Sequence, residues 1–358
     1  MKKNLYAVIM AGGIGSRFWP MSTSTHPKQF LDILGTGETL IQQTFRRLRT
    51  ICFPQNIFVV TNKEYKESCI YQLSDLPKNN ILCEPVMRNT APCIAYAAFK
   101  IHSLNENANL IIAASDHIIT KELEFTEVVN DCLRVTSSND ILLTLGIKPS
   151  SPHTGYGYIQ YMDDNLLENT NIKKVKTFTE KPNQELALNF LDSGDFLWNS
   201  GMFIWSVKSI RLAYRKYLRD MYDIFEEGKK FYNTINEEKY INRVFSACKN
   251  ISVDYAIMEK ADNVYVYPAD FGWSDLGTWG SLYEHKKLDA EGNAIRGERV
   301  MLYNSNNNII NMPHDKLVVM HGLNGYIIVE NDGVLLICKK EDEQNIKQFV
   351  ADIKKRRL

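Results

Sequence analysis

The sequence predicts an α/β fold, a doubly wound mixed sheet, with a small β-rich C-terminal piece. Three observations predict it. Short Val-, Ile- and Leu-rich runs alternate with amphipathic stretches through the first half of the chain. The first run breaks into a glycine-rich turn, Gly12-Gly13-Ile14-Gly15, at the edge where such sheets gather anions. Beyond about residue 288 the text turns to short strands and turns.

The elements follow in order. Strands are predicted over 5–10, 57–61, 110–114 and 141–145, too continuously apolar for anything but a sheet centre covered on both faces. Helical patterns fall between and after them at 39–50, 63–72, 91–103 and 125–137. In the middle, strands at 156–161, 175–180 and 202–206 are bounded by Gly, Pro and Asn, with helices at 184–193 and 207–225. The C-terminal strands are placed at 294–300, 308–311, 317–320, 326–330 and 334–339, with turns at 304–307 and 331–333 and a last helix over 342–355. This divides the chain into domains 1–287 and 288–358, which are expected to pack tightly because no long linker separates them.

Bulk properties exclude several classes. Lys+Arg and Asp+Glu are both 42, so the chain lacks the basic excess of a nucleic-acid binder. Seven dispersed cysteines without a C-x-x-C pair read as reduced thiols of a cytoplasmic protein. No run is long enough to span a bilayer, and the apolar stretch after Met1-Lys2-Lys3 reads as the first strand rather than a leader. The basic end, 354–357, reads as a solvated helix terminus.

The chemistry starts at the first turn. A strand ending at Ala11, Gly12, Gly13 and Gly15 leaves backbone N–H groups free to face an anion. Arg17 and Lys28 add two cations, so the segment is a candidate polyphosphate grip. Phe18 stands where a dinucleotide fingerprint needs its third glycine. Gly228-Lys229 is followed by Lys230 and cannot be a P-loop, and no H-R-D catalytic loop is present.

The pattern G-G-x-G-x-R with Pro27-Lys28 downstream resembles the sugar-1-phosphate nucleotidylyltransferases. Pro27-Lys28-Gln29-Phe30 and the segment Glu84-Pro85 to Arg88-Asn89-Thr90-Ala91-Pro92 are similar to those of the mannose-1-phosphate guanylyltransferases, with Met87 where that family often has Gly. Phe178-Thr179-Glu180-Lys181-Pro182, Trp198-Asn199-Ser200-Gly201-Met202-Phe203 and Ser252-Val253-Asp254-Tyr255 extend the resemblance over about residues 5–285.

The resemblance implies a Rossmann-like, GT-A-like nucleotidyltransferase sheet that transfers GMP from GTP to α-D-mannose 1-phosphate by direct in-line attack. It implies Arg17 and Lys28 as catalytic groups and Mg²⁺ on Asp116 and Asp275. Nucleotide contacts are implied at Ala11, Gly12, Gly13, Gly15, Glu84, Pro85, Arg88, Asn89 and Thr90, and sugar-phosphate contacts at Gly155, Glu180, Lys181 and Asn199. A homodimer with neither nucleic acid nor membrane as partner is implied too. Two alternatives stay open: the same chemistry on a heptose- or fucose-type sugar 1-phosphate, or a non-catalytic sugar-nucleotide-binding regulator.

The residues allow competing uses. Asp116 follows the strand at 110–114, where a carboxylate can take a hard cation or cap the next helix. Asp275 lies in a turn of aromatic and glycine residues over 270–277, where a capping role also fits. His117 reads as structural, because phosphate oxygens are already ionised and need no base. Gly155 lies in an aromatic-rich stretch, 154–158, that also suits a plain hairpin. The roughly seventy residues after the transferase part are too few for the isomerase domain that many relatives carry.

Overall fold

The computed structural model describes residues 2–166 and 170–356. The chain forms two units that interleave in sequence rather than dividing at 287 and 288. The first takes the residues through Gly12, Thr44–Ser115 and Ile119–Trp273. The second takes Gly13–Gln43, Asp116–Ile118 and the chain from Ser274 onward.

The first unit is built on a nine-stranded mixed sheet. Its strands are β1 (Leu5–Ala11), β2 (Ile57–Asn62), β3 (Ile81–Glu84), β4 (Asn109–Ala114), β5 (Leu142–Ile147), β6 (Gly157–Leu166), β7 (Lys173–Glu180), β8 (Phe196–Ser206) and β9 (Val264–Ala269). The spatial order is β3-β2-β1-β4-β8-β5-β9-β7-β6, with β8 also pairing with β6. β3, β2, β1 and β4 run parallel and are mostly buried, as in a sheet covered on both faces. Their register sets Met10 against both Val60 and Ala114, and Asn62 against Glu84. The glycine turn, Glu84 and Ser115 therefore leave the same carboxyl edge of the sheet.

The helix Thr90–Leu104 is buried from Ala91 to His102, because its small residues let it lie flat against the sheet and beneath Tyr214 and Phe225. The predicted helix 207–225 is two helices, Val207–Tyr217 and Arg219–Glu227, broken at Leu218 (φ −137°, ψ 55°). The break turns Met221 and Phe225 into the same core as Ile210 and Tyr214. Asp270-Phe271-Gly272, the letters of a kinase metal tripeptide, is structural: Phe271 is fully buried against Phe125.

In the second unit, Ala294–Arg296, Ile309–Asn311 and Tyr326–Asn331 stack parallel, and Val334–Lys339 returns antiparallel through the turn at Asp332-Gly333. Residues 304–307 do not close a hairpin, since Ile309 pairs parallel to Ala294. Successive coils are stitched by an asparagine ladder: Asn293 Oδ1 accepts from Asn308 N and Nδ2 at 3.0 Å, and Asn308 Oδ1 accepts from Tyr326 N at 2.8 Å. Their inner face joins Phe18, Ile33, Leu40, Ile118, Leu276 and Trp279 in one core. No helix among the described residues is long and apolar enough to cross a membrane, and all seven cysteines are unpaired.

Phe18 is fully buried there with its ring centroid 5.1 Å from that of Trp279. Phe18→Ala is expected to lower unfolding free energy by about 3–5 kcal/mol, the usual cost of emptying an aromatic core position. Equilibrium denaturation checks it, and a loss below about 1 kcal/mol would contradict this packing.

Candidate active site

Gly15 begins a short loop in the second unit. Its left-handed backbone (φ 71°) starts the short turn Ser16–Phe18, and Lys28 N donates to Ile14 O at 3.1 Å, drawing the Pro-Lys segment alongside. A side chain at Gly15 would put its Cβ 2.5 Å from Lys28 Cβ, so both φ and space require glycine.

Lys28 itself is buried, at 3% exposure. Its ammonium lies 2.7 Å from Asp116 Oδ2 and donates to the carbonyl oxygens of Asp275 (2.8 Å) and Leu276 (2.9 Å). Asp275 Oδ1 in turn accepts from Gly277 N at 2.8 Å. A cavity of about 290 Å³ opens over these groups, lined by Gly15, Arg17, Lys28, Asp116, His117 and Asp275 among others. Burial pushes the Asp116 carboxyl up, but Lys28 and His117 outweigh it and hold the group below the usual carboxylate range. Asp116 is therefore ionised at neutral pH. Arg17 Nε donates to Gln344 Oε1 at 3.1 Å.

Two carboxylates in one cavity beside two cations suit a hard divalent ion that takes its other ligands from phosphate and water. No group of three or more His, Cys, Asp or Glu side chains arranged to hold a metal occurs among the described residues. The donor set fits an ion that arrives with its polyphosphate.

In the first unit, Glu84 ends β3 and backs onto Gly12, whose missing side chain would stand 3.6 Å from Glu84 Oε2. Glu84 Oε1 is buried without a hydrogen-bond partner among the described residues. Burial pushes the carboxyl up to about 8. Asn89, at φ 68°, caps the helix Thr90–Leu104 by accepting from Thr90 N at 2.8 Å. Thr90 Oγ1 accepts from Val253 N at 2.9 Å, and Arg88 Nε donates to Phe245 O at 3.3 Å. Arg88, Asn89 and Thr90 thus anchor this loop.

Of the residues expected on the sugar side, Asn199 sits in a network of its own. Its Oδ1 accepts from Thr144 Oγ1 (3.2 Å) and Gly201 N (3.1 Å), and its Nδ2 donates to Asp254 Oδ1 (2.9 Å). A bulge between Thr144 and Gly146 makes room for this turn-like stretch of β8. Glu180 pairs with Lys181 and faces the bare Cα of Gly157, so the glycine against this carboxylate is Gly157 rather than Gly155. Gly155 is exposed and donates to His153 Nδ1 at 3.1 Å. His153, Tyr156, Trp198 and Trp273 form an aromatic wall beside them.

Sequence reasoning gave Asp254 only a supporting place. Burial, and then Glu180, push its carboxyl up to about 6, and it lies in a π-turn, Asp254–Met258. The signal for it was the matched segment 252–255, which carries no local chemistry of its own.

The nucleotidyl transferase family model matches residues 6–292. The chain belongs to that family. It is 36% identical over 361 residues to "Mannose-1-phosphate guanylyltransferase 2" of Escherichia coli O157:H7, covering 98% of this chain and 73% of that protein. It is 37% identical over 364 residues to the mannose-1-phosphate guanylyltransferase of Klebsiella pneumoniae, covering 98% and 74%. A solved Thermus thermophilus protein titled a mannose-1-phosphate geranyltransferase superposes with a TM-score of 0.87 at 25% identity, covering 98% of this chain and 99% of that one. Members of this family act on a nucleoside triphosphate and a sugar phosphate, generally with a divalent metal.

Glu84 gives a pH test. Its carboxyl titrates near 4.5 when unfolded and about 8 when folded, so the folded state holds the proton longer and stability falls as pH rises between those values. The melting temperature of the native protein is expected to drop relative to Glu84→Gln from pH 5 to 8. A difference constant across that range would refute the buried neutral acid.

Proposed function

We propose that this protein joins GTP and α-D-mannose 1-phosphate, releasing pyrophosphate and forming GDP-mannose. The observation that carries the reading is the cavity in which Arg17, Lys28, Asp116 and Asp275 converge. Transfer of a nucleotidyl group needs its polyphosphate held, its charge neutralised and its acceptor aligned, and little covalent help from the protein.

Arg17 presents a planar fork to the departing pyrophosphate, as a catalytic residue. Lys28 acts as a positioning residue, since its donors already hold Asp116 and the Asp275 turn. Asp116 and Asp275 would hold Mg²⁺, which when bound neutralises phosphate charge. The backbone from Ala11 to Gly15 faces phosphate, while Pro85, Arg88, Asn89 and Thr90 shape the loop beside the base. Glu84 backs this nucleotide side as a buried acid behind Gly12. Asn199, Glu180 and Lys181 take the hexose phosphate, with Asp254 and Gly157 added to the set and Gly155 shaping the turn. Zero net charge and dispersed free thiols support a cytoplasmic protein without nucleic-acid or membrane partners, and a homodimer is part of the same proposal.

Pyrophosphate release measured with a panel of nucleoside triphosphates and sugar 1-phosphates, with and without Mg²⁺, tests the reading. Turnover is expected with GTP and mannose 1-phosphate and only with the metal. Turnover with a heptose or fucose 1-phosphate instead would move the acceptor, and no turnover with any pair would favour a silent sensor. Arg17→Ala is expected to lower kcat at least about tenfold with unchanged melting temperature, since one preorganised charge contact is commonly worth about 2.7–4 kcal/mol. An unchanged kcat would remove Arg17 from the reaction.

A further inference from the structure

Arg17 and Lys347 line the same cavity, although they lie at opposite ends of the sequence. The reason is packing. Phe18 and Ile346 are both fully buried in one core, so their charged neighbours, Arg17 before one and Lys347 after the other, come to the rim. The helix Ile346–Arg356 carries Ile346, Phe349, Val350 and Ile353 at helical spacing, and Val350 packs on the same core.

The turn before this helix, Lys340–Asn345, is fastened twice more. Glu343 Oε2 accepts from Gly280 N at 2.8 Å, five residues beyond Asp275, and Gln344 Oε1 accepts from Arg17 Nε at 3.1 Å. With Nε held there, the two terminal nitrogens of the guanidinium keep their donors for a phosphate.

Charge in the cavity requires more than the two cations named by the sequence. Asp116 and Asp275 bring two negative charges, and Lys28 is committed to Asp116 and two carbonyls. A Mg²⁺ ion held by Asp116 and Asp275 would offset those two charges, and with Lys28 committed Arg17 by itself then faces a pyrophosphate carrying several negative charges. We propose that Lys347, supplied by the C-terminal helix, is a further pyrophosphate-binding residue and that Gln344 is the positioning residue for Arg17. This rests on the reading of the cavity as a pyrophosphate site.

The test uses the full chain and two readouts. Calorimetric titration with pyrophosphate in Mg²⁺ is expected to show roughly tenfold weaker binding for Lys347→Ala, the size of one charge-assisted contact, with most of the affinity restored in Lys347→Arg. In the reverse reaction, the KM for pyrophosphate should rise similarly while the KM for GDP-mannose stays put. Lys347 is exposed, so the melting temperature should hold. Gln344→Ala is expected to lower kcat. Unchanged pyrophosphate affinity in Lys347→Ala would overturn the assignment. If the native protein binds pyrophosphate but does not turn over GTP with mannose 1-phosphate, the functional reading fails while titration still decides Lys347. No binding of pyrophosphate to the native protein would sink both.

Discussion

The second unit's site depends on how one buried ammonium is satisfied. A lysine at 3% exposure cannot leave a donor unpaired without a cost of several kcal/mol, and it has three donors in a fixed tetrahedral arrangement. Lys28 meets that demand with the Asp116 carboxylate and the carbonyls of Asp275 and Leu276. Those three acceptors lie on two stretches of chain far apart in sequence, and the ammonium fixes both. Gly15 completes the arrangement, because only a residue without Cβ can lie against the lysine stem. Arg17 is thereby left facing the cavity.

The first unit shows a different kind of readiness. Glu84 Oε1, Tyr158 OH and Trp198 Nε1 are buried without a hydrogen-bond partner among the described residues, a condition folded proteins rarely tolerate. Trp198 belongs to the aromatic wall beside Asn199, and Glu84 ends the edge strand. Backbone irregularities gather in the same stretches: Asn89 at positive φ, the bulge opposite Asn199, and the π-turn at Asp254. Such strain persists where the surroundings fix it, and sites that bind ligands are where it concentrates.

Local patterns were legible in the sequence, and non-local ones were not. Unbroken apolar runs identified β1, β2, β4 and β5 because parallel central strands have no solvent face to encode. The short edge strand β3 and the strand β9 lack that uniformity and went unread. Asp116 and Asp275 were singled out by the family resemblance, since their turns alone suit capping equally well, and both line one cavity. That Lys28 would be spent on those same turns was not legible, since nothing near Pro27 announces burial. Asp254 escaped for a similar reason: its meaning comes from Asn199, 55 positions away in sequence. The stretch 304–307 looks like a hairpin turn, yet it leads into a parallel coil, and Asn308, at the start of the predicted strand, is fully buried in a ladder between coils.

The β-rich end of the chain is consequently no appendage to the glycine loop. Phe18 shares its core with Ile309, Ile327, Val329, Leu336 and Ile346, all from the coils and the last helix. A loop of glycines has little enthalpy of its own and loses much backbone entropy on ordering. Its fixed shape must come from what it packs on, and here that is supplied by residues more than 250 positions later. Arg17 can only be held in one place if Phe18 is held, and Phe18 is held by the coils. The most recognisable motif in the sequence therefore takes its geometry from the least recognisable part.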